Sequence, residues 1–341
     1  MIRRESNQHS GKAPSRVLLL APIGLAVVIF GAWYAVWSKG VETIRTYADE
    51  FLAESSSHSI NAEYGAYHAR GFPFLMRGVF EDLNLSNDEF SYSTDAVIVD
   101  ALPYDLNRII FSAQKEQHLN VRGMDFVLRA PDSRLSVERH DQRGWMVKTS
   151  NGEVPVEFTN SQSSVTAARL LINVAPAEDS ADPELADKID ISLTASELAA
   201  ILSDRSGTLD TLGASVTLTH DPAGLNQRID GRPDWQSLNA AAEIHGIELA
   251  TGGSRLAMNG VLRIDRTGRL AGRLSTELTN PSDLLDFLED IGAVKPRLRS
   301  TLDGAMTLAA IAGGGVIRTK VEFKDGDARI FGIRVAAAPR I

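Results

Sequence analysis

Cysteine is absent from this chain of 341 residues. Folding therefore cannot depend on disulfides, and an anchor of the lipoprotein type is excluded. Histidine is sparse as well: the seven His residues are scattered without the spacing of metal ligands, and no thiols are present to complete a zinc site. We therefore expect neither a bound metal nor a cofactor.

Catalytic motifs are missing too. Ser254 follows Gly252 and Gly253, but Leu256 stands where a nucleophile elbow requires glycine, so a plain turn is the better interpretation. Gly313–Gly315 is interpreted as a hairpin connection, since no standard phosphate loop surrounds it. The carboxylates gather on one helix face and in one acidic loop, where contact with solvent explains them. We therefore expect that the protein is not an enzyme.

Positive charge is also in short supply. The chain has 35 Lys and Arg residues against 44 Asp and Glu residues, which gives a net charge of −9 at pH 7. Five of the six charged residues among the first 39 are basic, so the rest of the chain is more acidic than the whole. An acidic domain is a poor nucleic-acid binder and has little electrostatic attraction to anionic lipid.

One uncharged stretch determines the compartment of everything after it. Val17–Trp37 contains no charged residue and is long enough to cross the hydrocarbon core as a helix, at about 1.5 Å of rise per residue. Basic residues concentrate before it, so the positive-inside rule predicts a cytoplasmic tail at residues 1–16 and an exported remainder. Trp33, Tyr34 and Trp37 stand where an aromatic belt would meet the outer face of that membrane.

A cleaved signal peptide is the competing interpretation, because it shares a basic start and an apolar core. Cleavage needs small residues at the third and first positions before the cut. Gly31 and Ala32 are small, but the bulky Trp33 and Tyr34 follow them and spoil each nearby site. We therefore favour an uncleaved transmembrane signal anchor at residues 17–37.

The period of the apolar residues changes near residue 60. Before it, Val41–Ala53 shows helical spacing, so a juxtamembrane helix is predicted over residues 38–59. After it, alternation predicts half-buried antiparallel strands at Phe90–Ile98, Leu170–Val174 and Ile189–Leu193. We expect a mainly β fold over residues 60–341, an extended antiparallel sheet or sheets with a few short helices, preceded by one N-terminal transmembrane helix.

The clearest local unit lies late in the chain. Leu256–Ile264 and Leu270–Leu278 alternate on either side of a turn, which predicts a hairpin with one apolar face. A helix is predicted over Pro281–Ile291, with Asn280 as its N-cap and Gly292 as its stop.

Other elements are less distinct. A short helix and three strands are predicted at Ser196–Leu202, Leu298–Ala309, Val316–Phe323 and Ala328–Val335. Pro176–Asp187 is interpreted as an exposed acidic loop. A similar stretch, residues 221–234, is a candidate boundary between two subdomains.

An unusual aromatic cluster lies near the start of the β-rich part. In Gly71-Phe72-Pro73-Phe74 the glycine permits backbone conformations that other residues resist, and the proline cannot donate to a sheet. Two rings are thus placed beside a kink, and Phe80 follows in the next strand. In one interpretation Phe72 and Phe74 plug one end of the core; in the other they form a hydrophobic docking point for lipid or a partner.

Several of these features carry a family resemblance. The anchor, the Gly71-Phe72-Pro73-Phe74 cluster leading into Gly78–Leu85, and the ending Ala337-Ala338-Pro339 resemble the bacterial domain-of-unknown-function family DUF2125 over residues 15–341. The family has no assigned activity, so the resemblance implies no catalytic residues.

A more distant similarity concerns the late hairpin. Asn259–Leu274, followed by Asn280-Pro281 and a helix, is similar to modules of the AsmA-like envelope proteins. That similarity implies a membrane-anchored, β-rich protein of the Gram-negative periplasm, linked to lipid movement and outer-membrane assembly. The chain is short and has one such unit, which argues against a bridge across the whole periplasm.

The function expected from these observations is lipid binding. An inner-membrane-anchored periplasmic protein with a partly covered apolar sheet face would accept acyl chains and help to move lipid. The alternative is a non-catalytic envelope scaffold with a closed β core, which docks a protein through its edge strands or through Phe72 and Phe74. The expected partners are inner-membrane lipids and envelope proteins, and nucleic acid is not expected.

Overall fold

The structure is a computed structural model. It describes residues 16–340 except 58–59, 122, 132, 141–143, 153, 179–186, 204, 221–227, 230–231, 234–239, 266 and 293. For residues 16–24 it describes the helical backbone alone. The predicted tail at residues 1–16, apart from the backbone of Arg16, therefore lies outside the described residues. So do most of the predicted loop Pro176–Asp187 and most of the predicted boundary at residues 221–234.

The described chain begins with one long helix, α1, Arg16–Ser57. The helix predicted from the spacing of Val41–Ala53 is confirmed, and it continues α1 without interruption. Among the residues that the structure describes, no helix has both the length and the apolar character needed to cross a membrane.

Most of the other residues that the structure describes form one antiparallel sheet of 18 strands, which confirms the predicted mainly β fold. Its strands are β1 (Asn61–Glu63), β2 (Ala66–Arg70), β3 (Met76–Ser86), β4 (Phe90–Leu102), β5 (Asp105–Val121), β6 (Met124–Arg129), β7 (Arg134–His140), β8 (Gly144–Ser150), β9 (Val156–Asn160), β10 (Ser163–Pro176), β11 (Lys188–Leu202), β12 (Arg205–Thr219), β15 (Ala241–Thr251), β16 (Ser254–Ile264), β17 (Leu270–Thr279), β18 (Val316–Lys324), β19 (Asp327–Ile330) and β20 (Ile333–Ala337). A separate two-stranded pair is formed by β13 (Arg228–Ile229) and β14 (Arg232–Pro233).

The sheet is a meander in which neighbours in sequence mostly pair. The short strands β1 and β2 both pair with β3, which is followed by β4 and β5. Strand β5 pairs with β6 and β7, and these connect through β9 and β8 to β10. From β10 the order runs through β11, β12 and β15 to β20.

The strand register aligns one continuous row of apolar residues across this sheet. Residues paired across antiparallel strands share a face, so the row can be followed from pair to pair. It contains one residue from each of thirteen strands: Met76, Ala101, Ile109, Val137, Val147, Val174, Ile191, Val216, Ile244, Gly260, Leu274, Val321 and Ile330. We call it the apolar row.

Two helices pack on the face of the sheet that carries the apolar row, near the C-terminal end of that row. The predicted helix is confirmed as α2, Pro281–Asp290, and Gly292 follows it with a φ of +76°. The predicted strand at Leu298–Ala309 is wrong, because this segment is a helix, α3, Pro296–Ala312. Leu302 and Met306 lie one turn apart and are buried against α2 and the sheet, which a strand could not achieve.

Asn280 occupies the N-cap position of α2, as predicted, but the capping role predicted for its side chain is wrong. Asn280 adopts a φ of 47°, and its side chain makes no capping hydrogen bond. Ser254, the first residue of β16, replaces it: its hydroxyl accepts a hydrogen bond from the Leu284 amide at 3.0 Å and donates one to the Asn280 carbonyl. The side chain that caps the N-terminal end of α2 therefore comes from a strand 30 positions earlier in the sequence.

The helix predicted at Ser196–Leu202 is wrong as well, because the segment belongs to β11 and pairs with β10 and β12. Glu197 has a φ of 51°, which interrupts the alternation of the strand. This interruption brings Ala195 and Leu198 to the same face of the strand although they are three positions apart in sequence. Apolar residues three positions apart are typical of a helix. Pairing on both sides outweighs the helical propensity of this Ala- and Leu-rich segment.

The last predicted strands need two smaller corrections. Val316–Phe323 is confirmed within β18, but Ala328–Val335 is divided into β19 and β20 by a turn at Phe331 and Gly332, both with positive φ. Gly313–Gly315 connects α3 to β18 and is not the link between two strands that was predicted.

Candidate functional site

A groove of about 420 Å³ lies between α1 and the sheet. One wall is the face of α1 from Ile44 to Leu52, and the other is formed by β3, β4 and β5. Its lining is almost wholly apolar: Ile44, Tyr47, Ala48, Phe51, Leu52, Tyr64, Phe80, Leu83, Leu85, Val97, Val99, Ile109 and Phe111. We call it the α1 groove.

Asp82 makes the sheet wall continuous. Its φ of 54° breaks the alternation of β3, so that Phe80 before it and Leu83 after it both face the groove. With regular alternation, Leu83 would point to the opposite face. Asp is one of the few side chains that tolerate this left-handed backbone.

Close packing at one end of the groove holds α1 against the sheet. Trp37 and Val41 are buried against Met76 and Ala101 in one apolar cluster. Gly78 lets Ile44 come near, because a Cβ at Gly78 would lie 3.1 Å from the Ile44 Cγ2 atom. Farther along, the groove opens between the helix and the sheet.

Two largely exposed residues of α1 mark this open end of the groove. Tyr47 is 67% exposed and Phe51 is 61% exposed, although both line the groove. Aromatic side chains of that size are normally covered by a partner surface. The open end therefore leaves an apolar surface in contact with solvent.

The rim of the groove is polar on one side. The Tyr64 hydroxyl donates a hydrogen bond to the Asp49 carboxylate at 2.6 Å, and Arg45 lies 3.6 Å from that carboxylate. Tyr67 donates to the Val41 carbonyl at 2.6 Å. Burial raises the pKa of both tyrosines, and for Tyr64 the bond to Asp49 raises the pKa further. Both side chains are therefore neutral donors near neutral pH.

The predicted aromatic cluster lies at the closed end, where it divides into two roles. Phe72 contacts the rings of Phe30, Tyr34 and Trp37 edge-on, at centroid distances of 5.2, 5.4 and 5.5 Å. Phe74, by contrast, is 79% exposed. The two rings predicted to act together are thus separated by the structure.

The other predicted residues fix this loop to α1. The indole N–H groups of Trp33 and Trp37 donate to the carbonyls of Pro73 and Leu75, each at 2.7 Å. Gly71 has a φ of +97°, and a Cβ there would collide with the Leu75 carbonyl. The loop Gly71–Leu75 is therefore held in one position beside the helix.

Phe80 lies in the sheet wall, away from that loop. It is 5% exposed and packs against Tyr64 and Tyr67 at centroid distances of 5.1 and 5.0 Å. The Phe80 ring thus forms the floor of the α1 groove.

The aromatic residues predicted at the membrane interface differ in exposure: Tyr34 is 54% exposed, whereas Trp37 is 8% exposed.

The apolar row extends the surface of the groove across the sheet. Met76 and Ala101 are buried under α1, and Ile244 and Leu274 are buried in the C-terminal half. Between these two covered ends, six residues are only half-buried: Ile109, which also lines the groove, and then Val137, Val147, Val174, Ile191 and Val216. The sequence shows that each strand alternates, but the alignment of these residues depends on the register.

A polar cluster on the opposite face was not anticipated. Thr217 donates to the Asp190 carboxylate at 2.6 Å, and its hydroxyl lies 2.7 Å from the His245 Nε2 atom. In a hydrolase triad the histidine lies between the acid and the nucleophile, whereas here the threonine occupies the middle. Asp190 therefore cannot orient His245 as a base, and the cluster serves to link three neighbouring strands. Within the described part of the chain, no group of three or more metal-ligating side chains is found.

Comparison with known proteins gives one positive result. A family model described as "Uncharacterized protein conserved in bacteria (DUF2125)" matches residues 37–339. No curated protein and no solved structure gives a significant match. The similarity to AsmA-like proteins stays a prediction. The matched region starts at Trp37 and includes the loop Gly71–Leu75, the α1 groove and the whole apolar row. Because the match covers most of the 341 residues, the chain belongs to the bacterial family DUF2125.

Proposed function

We propose that this DUF2125 protein binds an acyl chain of a membrane lipid in the α1 groove, as an inner-membrane-anchored periplasmic protein of the cell envelope. The observation that carries the proposal is the lining of the groove, in which thirteen side chains offer no polar groups except two tyrosine hydroxyls. Each methylene moved from water into such surroundings contributes about 0.8 kcal/mol. An acyl chain supplies many methylenes and needs no hydrogen bonds.

The apolar row supports the idea that lipid also moves. Beyond Ile109, which lines the groove, its five half-buried residues continue the apolar surface toward the C-terminal strands. An acyl chain leaving the groove in that direction would stay on apolar side chains. The acidic balance of the chain fits this proposal, because attraction to the lipid would be apolar rather than electrostatic.

The N-terminal half of α1 supports the anchor. Val27, Val28, Ile29 and Phe30 are consecutive and 58–67% exposed, and four successive helical residues point in four directions around the axis. One packed partner could not cover all of them. A helix that is apolar on every side is suited to a surrounding lipid phase.

Photo-crosslinking in cells tests the groove. Cells expressing the full chain would be fed a long-chain fatty acid carrying a diazirine, which enters their phospholipids, and then irradiated. We expect crosslinks in the peptides that contain Ile44–Leu52 and Phe80–Val99. Ala48 lines the groove, so Ala48→Trp should fill it and reduce labelling several-fold, whereas Ala53→Trp, at an exposed site on the same helix, should leave labelling unchanged.

Two outcomes would contradict lipid binding in the α1 groove. Equal labelling of the Ala48→Trp and wild-type chains would show that the groove is not the site. Crosslinks confined to other peptides would show the same and would favour the alternative function, a scaffold that docks an envelope protein.

A further inference from the structure

The loop Gly71–Leu75 combines a fixed position with an exposed aromatic tip. Phe74 is 79% exposed, the highest exposure among the large apolar side chains that the structure describes, shared with Tyr104. A mobile loop could fold such a ring inward. This loop cannot do so readily, because two indole hydrogen bonds and three ring contacts hold it to α1.

The contacts of Phe72 set the level of the loop along the helix. Phe72 touches Phe30 at one end and Trp37 at the other, a span of about 10 Å at 1.5 Å per residue. Phe30 belongs to the segment that is apolar on every side, and Lys39 is the first charged residue after it. The loop therefore lies at the boundary between the apolar segment and the first charge.

Two exposed cations occur next to this boundary in sequence. Arg70 immediately precedes Gly71, and Lys39 follows Trp37 by two positions. Aromatic rings and basic side chains together are typical of the zone where a membrane meets water. Phe74, Arg70 and Lys39 thus supply both components close to this boundary in sequence.

We propose that Phe74 inserts into the interfacial zone of the lipid bilayer that α1 enters. The proposal rests on the membrane anchoring proposed above, and it adds a second contact point. With both α1 and Phe74 in contact with the bilayer, the sheet is held in one orientation. The α1 groove, which begins at Ile44, then lies about 10 Å beyond Trp37 along the helix, close to the lipid surface.

The absence of cysteine makes a direct test simple. The full chain would be reconstituted in vesicles of phosphatidylethanolamine and phosphatidylglycerol, with one nitroxide label on Phe74→Cys, Tyr104→Cys or Val36→Cys. Collision with oxygen reports exposure to lipid, and collision with a soluble nickel chelate reports exposure to water. Tyr104 is the matched control, because it is also 79% exposed but lies in the turn between β4 and β5.

We expect the label at position 74 to collide with nickel several-fold less than the label at 104, and with oxygen several-fold more. If 74 behaves like 104 while 36 is immersed, the loop proposal is overturned and the anchor stands. Water exposure at all three positions overturns both. Shielding of 74 from both reagents indicates a protein cover and overturns insertion. None of these results depends on crosslinking in the α1 groove, so the two proposals can fail separately.

Discussion

Replacement of Phe72 by Ala should release the loop Gly71–Leu75 from α1. A fully buried Phe replaced by Ala costs about 3–5 kcal/mol, and each edge-on aromatic pair adds roughly 0.5–1.5 kcal/mol. Phe72 is half-buried and has three such pairs. Halving the burial contribution for that exposure leaves at least about 1.5 kcal/mol, and the three pairs add at least about 1.5 kcal/mol more. We therefore expect a loss of at least about 3 kcal/mol in the free energy of loop opening.

Hydrogen exchange measures this opening directly. The amides of Phe74 and Leu75 donate to the Gly71 carbonyl at 3.2 and 3.0 Å, so they are protected only while the loop keeps its shape. A loss of at least about 3 kcal/mol should accelerate their exchange by at least about 140-fold, at tenfold for each 1.4 kcal/mol. Phe74→Ala removes an exposed ring and should change the exchange of Leu75 by less than about threefold.

Two results would refute this reasoning. If Phe72→Ala leaves the exchange of Leu75 unchanged, the ring contacts do not hold the loop. If Phe74→Ala accelerates it as strongly as Phe72→Ala, both rings act as one plug of the core, which is the interpretation that the exposure of Phe74 opposes.

Other predictions concern the sheet. Ser254→Ala should destabilise the protein by about 1–3 kcal/mol in denaturant unfolding, because the Leu284 amide loses its buried acceptor; an unchanged midpoint would show that another group replaces it. Gly260→Ala should reduce stability strongly, because Gly260 has a φ of +150° and an added Cβ would strike the neighbouring strand, whereas Gly246→Ala, in open space, should behave as wild type. Burial raises the pKa of Tyr92, so the folded protein holds this proton more tightly than the unfolded chain. Its contribution to stability should therefore be complete below the ordinary tyrosine pKa near 10 and be lost as the pH rises above it, and a melting temperature that stays constant between pH 9 and about pH 11.5 would contradict this.

Local patterns were sufficient to predict the elements whose residues are governed by near neighbours. The hairpin of β16 and β17 is predicted correctly because its alternation is regular. Helix α2 is predicted correctly because proline, acidic residues and glycine occupy its ends. Where Glu197 interrupts the alternation of β11, the same reasoning predicts a helix and fails.

The candidate site was only partly predictable. The loop Gly71–Leu75 attracts notice because its residues are unusual in sequence, but the opposite environments of Phe72 and Phe74 depend on α1, some 35–40 positions away. The α1 groove was not predicted residue by residue. Its sheet wall requires the left-handed backbone conformation of Asp82, which interrupts the alternation of β3. No sequence pattern distinguishes that aspartate from others in the strands.

Composition and periodicity by themselves determined that this chain is disulfide-free, mainly β, acidic and preceded by a long apolar stretch, because those properties are sums over residues or depend on neighbours a few positions apart. The tertiary structure alone decided which alternating residues meet. The apolar row exists because the register of thirteen strands aligns one residue from each, and a shift of one position in any strand would turn its residue to the other face. Register is set by turns, bulges and packing between distant segments, and so it cannot be derived from the pattern of one strand.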